Sequence, residues 1–144
     1  AVLLMPSVTP DNINRIPMVS DVLNDYQRVA LEELPTQAGN SEVSPPLPWA
    51  NSRVLATWMT RVGGEPAQAY AIRQGNSLVI QYRISERVFF RDPDVRQAVA
   101  RAGDFRTRSD QLEVLGLPME DSGLLVVAPA GNMPAVSEAT TGAS

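Results

Sequence analysis

The sequence predicts an α+β fold, with a small antiparallel sheet, two helices and extended N- and C-terminal arms. Three observations predict it. Apolar and polar residues alternate along the middle of the chain, as they do in half-buried strands. The motif Asp92-Pro93-Asp94 is typical of a helix start. Both ends of the chain lack the apolar periodicity that would let them fold alone. We therefore expect a structured middle between two arms.

The N-terminal part of the chain predicts an arm followed by a helix. Residues 1–16 contain two prolines and two asparagines and show no clear periodicity, which favours an extended arm. Residues 17–34 predict an amphipathic helix, because apolar side chains recur every three or four positions. Ser20 or Asp21 would cap this helix, and Pro35 would end it. Two roles stay open for the helix: packing on its own domain, or docking on a partner subunit.

A proline-rich linker is predicted over residues 35–49, which contain four prolines. The stretch Pro45-Pro46-Leu47-Pro48-Trp49 favours polyproline II, because each proline fixes φ and lacks an N–H donor. Such a stretch serves as a stiff connector or as a ligand for an aromatic groove. Trp49 follows three of these prolines and is therefore a candidate partner contact.

Residues 50–128 predict the α+β core domain, which begins with an antiparallel meander over 52–91. Glycine-containing turns at 63–66 and 74–77 separate the strands. The first strand is expected to place four apolar side chains on one face, namely Val54, Ala56, Trp58 and Val62. Its other face is expected to carry Arg53, Leu55, Thr57, Met59 and Arg61.

A second helix is predicted after the meander. Asp92 would be its N-cap, Pro93 would occupy the first helical position, and Gly103 would end it. Between the meander and this helix stand three apolar residues that either continue the sheet or cross onto its face, namely Val88, Phe89 and Phe90.

The C-terminal part of the core predicts two strands, one around residues 112–115 and one at 124–128. Residues 129–144 contain mainly small residues and a single charge, Glu138. They lack the apolar content of a folded element. We therefore expect a tail that is flexible or is ordered by a partner.

The composition lacks most of the side chains that perform covalent or proton-transfer chemistry near neutral pH. The chain has no histidine, cysteine or lysine, and all 12 basic residues are arginine. Imidazole, thiolate and desolvated lysine are the usual shuttles and nucleophiles. Two adjacent acid pairs, Glu32-Glu33 and Glu120-Asp121, favour solvated surface over glycoside chemistry.

We therefore expect a protein that is not an enzyme. No residue stands out as catalytic, cofactor-binding or metal-ligating, since carboxylates alone would have to hold a metal and no loop has calcium spacing. The apolar runs are far shorter than the roughly 20 residues that span a bilayer. We expect no membrane contact and no small-molecule substrate.

Charge is segregated along the chain. Residues 1–50 carry two arginines and six acids, a net charge of −4. Residues 51–108 carry ten arginines and five acids, a net charge of +5, and residues 109–144 carry five acids and no base. A basic middle between acidic ends can close on itself or on a neighbouring copy.

The densest basic segment, residues 82–108, supplies the remaining candidate contacts. Guanidinium groups suit both carboxylates and phosphates. Four interleaved aromatic residues would permit a stacking surface for single-stranded nucleic acid, but interleaved acids and a pI of about 4.8 oppose it. The candidate partner contacts are Arg83, Arg87, Arg91, Arg96, Arg101, Arg106 and Arg108.

The function that these observations favour is a non-enzymatic structural or assembly subunit of a large complex. Arms that cannot fold alone are typically ordered by neighbours, and the charge blocks are complementary. Its partners would be further copies of itself or other subunits. A viral capsid, decoration or connector protein fits this pattern, which would place the chain in a virion. The alternative is a nucleic-acid-binding accessory protein that uses the Arg/aromatic segment 82–108.

Overall fold

The computed structural model describes residues 16–31, 45–46, 52–109 and 111–133. Within these ranges the chain forms three helices and six strands. In chain order they are α1 (Pro17–Leu31), β1 (Ser52–Val62), β2 (Glu65–Gln74), β3 (Ser77–Ser85), α2 (Glu86–Phe89), α3 (Pro93–Ala102), β4 (Phe105–Ser109), β5 (Leu112–Pro118) and β6 (Ser122–Pro129).

All six strands form one antiparallel sheet in the order β1-β2-β3-β6-β5-β4. The α+β character and both expected helices are confirmed. The sheet is larger than the small one that the sequence suggested, and it dominates the fold. Residues 1–15 and 134–144 of the predicted arms lie outside the described residues, as does most of the predicted linker, whereas Pro129 at the start of the predicted tail belongs to β6.

The meander of β1, β2 and β3 is confirmed, with two-residue turns at Gly63-Gly64 and Gly75-Asn76. The expected face assignment of β1 is partly wrong, because a β-bulge interrupts its pairing with β2 between Val54 and Ala56. The extra residue, Leu55, reverses the alternation. Leu55 therefore packs with the residues under the helices, and Val54 packs on the opposite face.

The apolar run after β3 crosses onto the face of the sheet instead of extending a strand. Ser85 caps the single-turn helix α2 by accepting a hydrogen bond from the amide of Val88 at 3.1 Å. The turn delivers Phe89 onto Gly116 and Gly123 of the sheet. A Cβ at Gly123 would overlap the Phe89 side chain, so the ring occupies space that only glycine leaves open.

Helix α3 has the predicted ends. The Asp92 carboxylate accepts a hydrogen bond from the amide of Asp94 at 2.8 Å, Pro93 takes the first position, and Gly103 has φ of 86°. The strand that follows, β4, was not predicted. Phe105 is the only buried residue of β4, so the strand shows little alternation of apolar residues.

The prediction that Ser20 or Asp21 caps helix α1 is wrong, because the helix begins earlier, at Pro17. Pro17 occupies the first helical position, where its missing N–H has no consequence, and the amides of Val19 and Ser20 donate to the carbonyl of Ile16. Asp21 instead accepts a hydrogen bond from the amide of Gly63 at 2.7 Å. The helix packs on its own sheet, which is the first of the two roles left open for it. Its buried apolar residues are Met18, Val19, Val22, Leu23, Tyr26 and Val29.

The two faces of the sheet differ in what lies on them. We call the face that packs against α1, α2 and α3 the helix face. We call the other the helix-free face, because its apolar cluster contains no residue from these helices. The buried members of that cluster are Tyr70, Ile72, Val79, Leu115, Leu124, Val126 and Ala128.

Candidate functional site and interaction surfaces

The seven candidate arginines do not form one patch. Three of them, Arg83, Arg106 and Arg108, lie on the helix-free face and are exposed. Arg106 contacts Asp104 at 3.4 Å, and Arg108 lies 3.9 Å from Glu113. Arg83 has no ion-pair or hydrogen-bond partner within the residues that the structure describes. Exposed pairs of this kind contribute little to stability, so these three charges remain accessible to a partner.

A second group, Arg87, Arg91 and Arg96, binds the turn between β1 and β2 and the connection between α2 and α3. Arg87 donates twice to one carboxylate oxygen of Glu65, at 2.6 and 3.0 Å, and this contact is the main cause of the lowered pKa of Glu65. Arg91 donates to the carbonyl of Gly63 at 3.0 Å. Arg96 donates to two carbonyls of the α2–α3 connection, at 2.6 and 3.1 Å. These arginines brace the loops of their own chain.

Arg101 stands alone in the last turn of α3, exposed, where a positive charge complements the helix dipole. Trp49, the remaining predicted contact, lies outside the described residues. The other six arginines form two separate groups, one on the helix-free face and one at the β1–β2 turn and the α2–α3 connection. A single basic platform across residues 82–108 is therefore not formed.

The aromatic residues between these arginines serve the core. Tyr82 and Phe89 are fully buried, Phe105 is buried, and Phe90 is half-buried with its ring edge against Phe89. Base stacking needs an exposed ring face. The nucleic-acid alternative therefore depends on the arginines without the stacking surface that the sequence suggested.

A buried polar network that the sequence analysis did not identify connects α1 to the sheet. Asp25 of α1 is only 8% exposed. Its carboxylate accepts hydrogen bonds from the Tyr82 hydroxyl at 2.8 Å and from Arg28 Nη2 at 2.6 Å, with the Thr60 hydroxyl at 3.4 Å. The available signal was Thr60, which interrupts the apolar face of β1.

Burial is the main cause that raises the pKa of Tyr82 well above 10.0, and the charge of Asp25 adds to it. The phenol therefore stays protonated and acts as a donor. Every member of the network already has a partner, and the Asp25 carboxylate is held under the helix. The arrangement suits a structural connection between α1, β1 and β3 better than proton transfer to a substrate.

An open groove of about 680 Å³ lies beside the C-terminal end of α1. Among the described residues that line it, Tyr26 is the one ionisable side chain, and the Tyr26 hydroxyl already donates to the carbonyl of Leu78 at 2.7 Å. Leu31, at the rim, is 87% exposed. The groove thus offers apolar and amide contacts.

Within residues 16–31, 45–46, 52–109 and 111–133, no three acidic side chains come together as a metal site would require. None of the helices there has the length and apolar character needed to cross a bilayer.

The two edges of the sheet are unequal. β1 has 11 residues and, among the described strands, pairs only with β2. Met59, in the middle of β1, is 60% exposed. β4, at the opposite edge, has only five residues, two of them the exposed Arg106 and Arg108. Short, charged edges resist pairing with other strands, whereas long ones invite it.

Comparison with protein-family models, with curated proteins and with solved structures found no match. The contacts of the described residues define a six-stranded antiparallel sheet with one face under three helices and one long free edge among the described strands.

Proposed function

We propose that this chain is a non-enzymatic structural subunit of a larger assembly, and that β1 is one of its subunit contacts. A viral capsid, decoration or connector protein is the kind of subunit that we infer. The observation that carries the proposal is the edge of β1 that stays free among the described strands, whose eleven residues include the exposed apolar side chain of Met59.

The geometry of β1 favours the addition of a strand. Edge strands present unpaired N–H and C=O groups to any extended segment that approaches. Met59 would add an apolar contact to that backbone pairing, because its side chain is mostly exposed. The opposite edge supplies the contrast, since β4 is too short and too charged to serve in the same way.

The charge of β1 indicates which partner strand fits. β1 contains Arg53 and Arg61, both exposed, and no acid. Two copies of β1 placed edge to edge would bring together positive charges only, which is unfavourable for strand pairing. An acidic segment fits better, and the chain carries net charges of −4 over residues 1–50 and −5 over 109–144. We therefore favour a head-to-tail contact with another copy or subunit.

The test compares Met59→Lys with Gln97→Lys in the full chain. Both substitutions add one positive charge at an exposed position, but only Met59 lies on the β1 edge. We expect self-association, measured by sedimentation velocity over a range of concentrations, to weaken in Met59→Lys and to stay unchanged in Gln97→Lys. Circular dichroism should show that both variants keep the fold.

Two results would contradict the proposal. One is a wild-type chain that stays monomeric at every concentration and is absent from any particle isolated from its source. The other is salt-sensitive, micromolar binding of the wild type to a single-stranded oligonucleotide, which would favour the nucleic-acid-binding alternative.

A further inference from the structure

Two arginines face each other across β1 and β2. Arg53 and Arg73 are direct cross-strand partners, so their side chains leave the same face of the sheet with Cβ atoms about 5 Å apart. Both are exposed, and neither has an ion-pair or hydrogen-bond partner within the residues that the structure describes. Like charges that stand directly opposite each other destabilise strand pairing. An anion between the two guanidinium groups would remove this repulsion and would be held by both.

The acids of the neighbouring elements are engaged elsewhere. Helix α1 contains Asp21 and Asp25, which accept hydrogen bonds from the β1–β2 turn and from Tyr82. Glu65, the one acid of β1, β2 and β3, accepts from Arg87. The last carbonyls of α1 attract cations, but among the described residues neither arginine of the pair donates to them. The charge of the pair is therefore available to a ligand.

The pair stands beside an open apolar cavity on the helix face. Arg73 lines this cavity, which has a volume of about 210 Å³ and lies between the last turn of α1 and the turn from β2 to β3. Its apolar lining consists of Val29, Ala30, Leu55 and Leu78. A cavity of about 150 Å³ holds one benzene molecule. The cavity beside Arg73 therefore has room for one apolar side chain.

The rim of the cavity favours a peptide over a simple fatty acid. Asn76 and Ser77 line it, and neither side chain has a hydrogen-bond partner within the described part of the chain. A carboxamide and a hydroxyl each offer both a donor and an acceptor. A peptide backbone can satisfy both kinds of group, because it presents N–H and C=O groups in alternation. A fatty acid has no donor for the acceptors.

We propose that Arg53, Arg73 and the cavity beside them form a binding site for an acidic peptide segment of another protein chain. An apolar side chain of the segment enters the cavity, and a neighbouring carboxylate lies between the two guanidinium groups. Asn76 and Ser77 bind the backbone of the segment at the rim. The inference does not depend on the proposed function, since it uses side chains on the helix face and not the backbone groups along the free edge of β1.

The test is an NMR titration of the full, isotope-labelled chain with the synthetic peptide acetyl-Gly-Ser-Glu-Leu-Ser-Gly-amide, whose only charge is the glutamate. Two matched peptides replace Glu by Gln or Leu by Ser. We expect the side-chain amide of Asn76 and the Nε–H of Arg73 to shift saturably with the first peptide. The Gln peptide should bind about fivefold more weakly, because it loses the ion pairs. The Ser peptide should bind about tenfold more weakly, because it loses the buried side chain.

Variants of the protein locate the binding. Arg73→Gln should weaken binding by about fivefold, whereas Arg101→Gln, which removes an exposed charge from α3, should leave it unchanged. Ala30→Phe fills the cavity from an exposed position on α1 and should abolish binding. Ala100→Phe places the same ring at an exposed position of α3 and should have no effect. The spectrum of each variant without peptide shows whether the fold is kept.

Three results overturn the proposal. One is the absence of a saturable shift of the Asn76 and Arg73 signals at millimolar peptide. Another is an equal loss of binding in Arg73→Gln and Arg101→Gln, which would indicate general attraction between opposite charges. The third is binding of sodium hexanoate as tight as that of the peptide, which would make the ligand a free acid. A wild type that binds the peptide but stays monomeric supports this inference and contradicts the proposed function.

Discussion

The two faces of the sheet are both buried, but the structure describes helices on only one of them. On the helix face, α1 is joined to the strands by hydrogen bonds from Gly63 N to Asp21 (2.7 Å), from Tyr26 to Leu78 O (2.7 Å) and from Tyr82 to Asp25 (2.8 Å). On the helix-free face, the apolar cluster contains no residue of these helices. Directed polar bonds of the kind that α1 makes fix the position of the helix on the strands.

The largest expected difference between the faces concerns Phe89 and Leu124, which are both 0% exposed and lie on opposite faces. Phe89→Ala should lower the free energy of unfolding by about 3–5 kcal/mol, because two glycines leave a space that only the ring fills. Leu124→Ala should cost less, about 2–3 kcal/mol, because it removes a smaller buried side chain.

Urea unfolding of both variants measures this difference. A cost for Leu124→Ala that equals or exceeds the cost for Phe89→Ala would mean that the helix-free face is packed as firmly as the helix face. The comparison between the two faces would then fail.

The next effect concerns the buried network under α1. Tyr82→Phe removes a hydrogen bond to a carboxylate and should lower the free energy of unfolding by about 1.5–3 kcal/mol at pH 7. The pKa of Tyr82 is raised in the folded state, so its contribution is complete below pH 10.0 and is lost as the pH rises through the folded-state value. The wild type should therefore lose stability above pH 10.

The matched control is Tyr26→Phe. The pKa of Tyr26 is also raised by burial, but its hydroxyl bonds to the uncharged carbonyl of Leu78. We expect a smaller cost at pH 7 and a stability curve that still falls in alkali. If the Tyr82→Phe variant loses as much stability above pH 10 as the wild type does, ionisation of Tyr82 is not the cause of that loss.

The smallest expected effect concerns α3, which buries only Val95 and therefore adds least to the cover of the helix face. Asp92→Ala should lower the free energy of unfolding by about 1 kcal/mol through loss of the N-cap. Asp92→Asn keeps an acceptor oxygen and should cost much less. Equal losses for the two variants, measured by thermal unfolding, would assign the effect to charge instead of capping.

The elements that the sequence predicted correctly have local causes. The turn at Gly75-Asn76, the cap at Asp92 and the end at Gly103 depend on backbone preferences of single residues. The alternation in β3 depends on neighbours two positions apart. Such causes can be recognised before any long-range contact is known.

The errors arose where a distant residue decides the outcome. The bulge at Leu55 appears only when β1 is aligned with β2. β4 exists because β5 offers it a partner, not because its own residues alternate strongly. The candidate arginines were predicted as one group from their spacing, but the sheet and α3 separate them. Asp25 was not singled out, since only the fold brings Tyr82 to it.

The sequence by itself determined the α+β class, most turns and strands, both longer helices and the absence of histidine, cysteine and lysine chemistry. Each of these follows from composition or from residues a few positions apart. Only the tertiary structure decided that the sheet has six strands, which of its edges stays free among the described strands and which side chains share a face. Those features depend on strand register and packing between residues far apart in the chain, which local patterns do not encode.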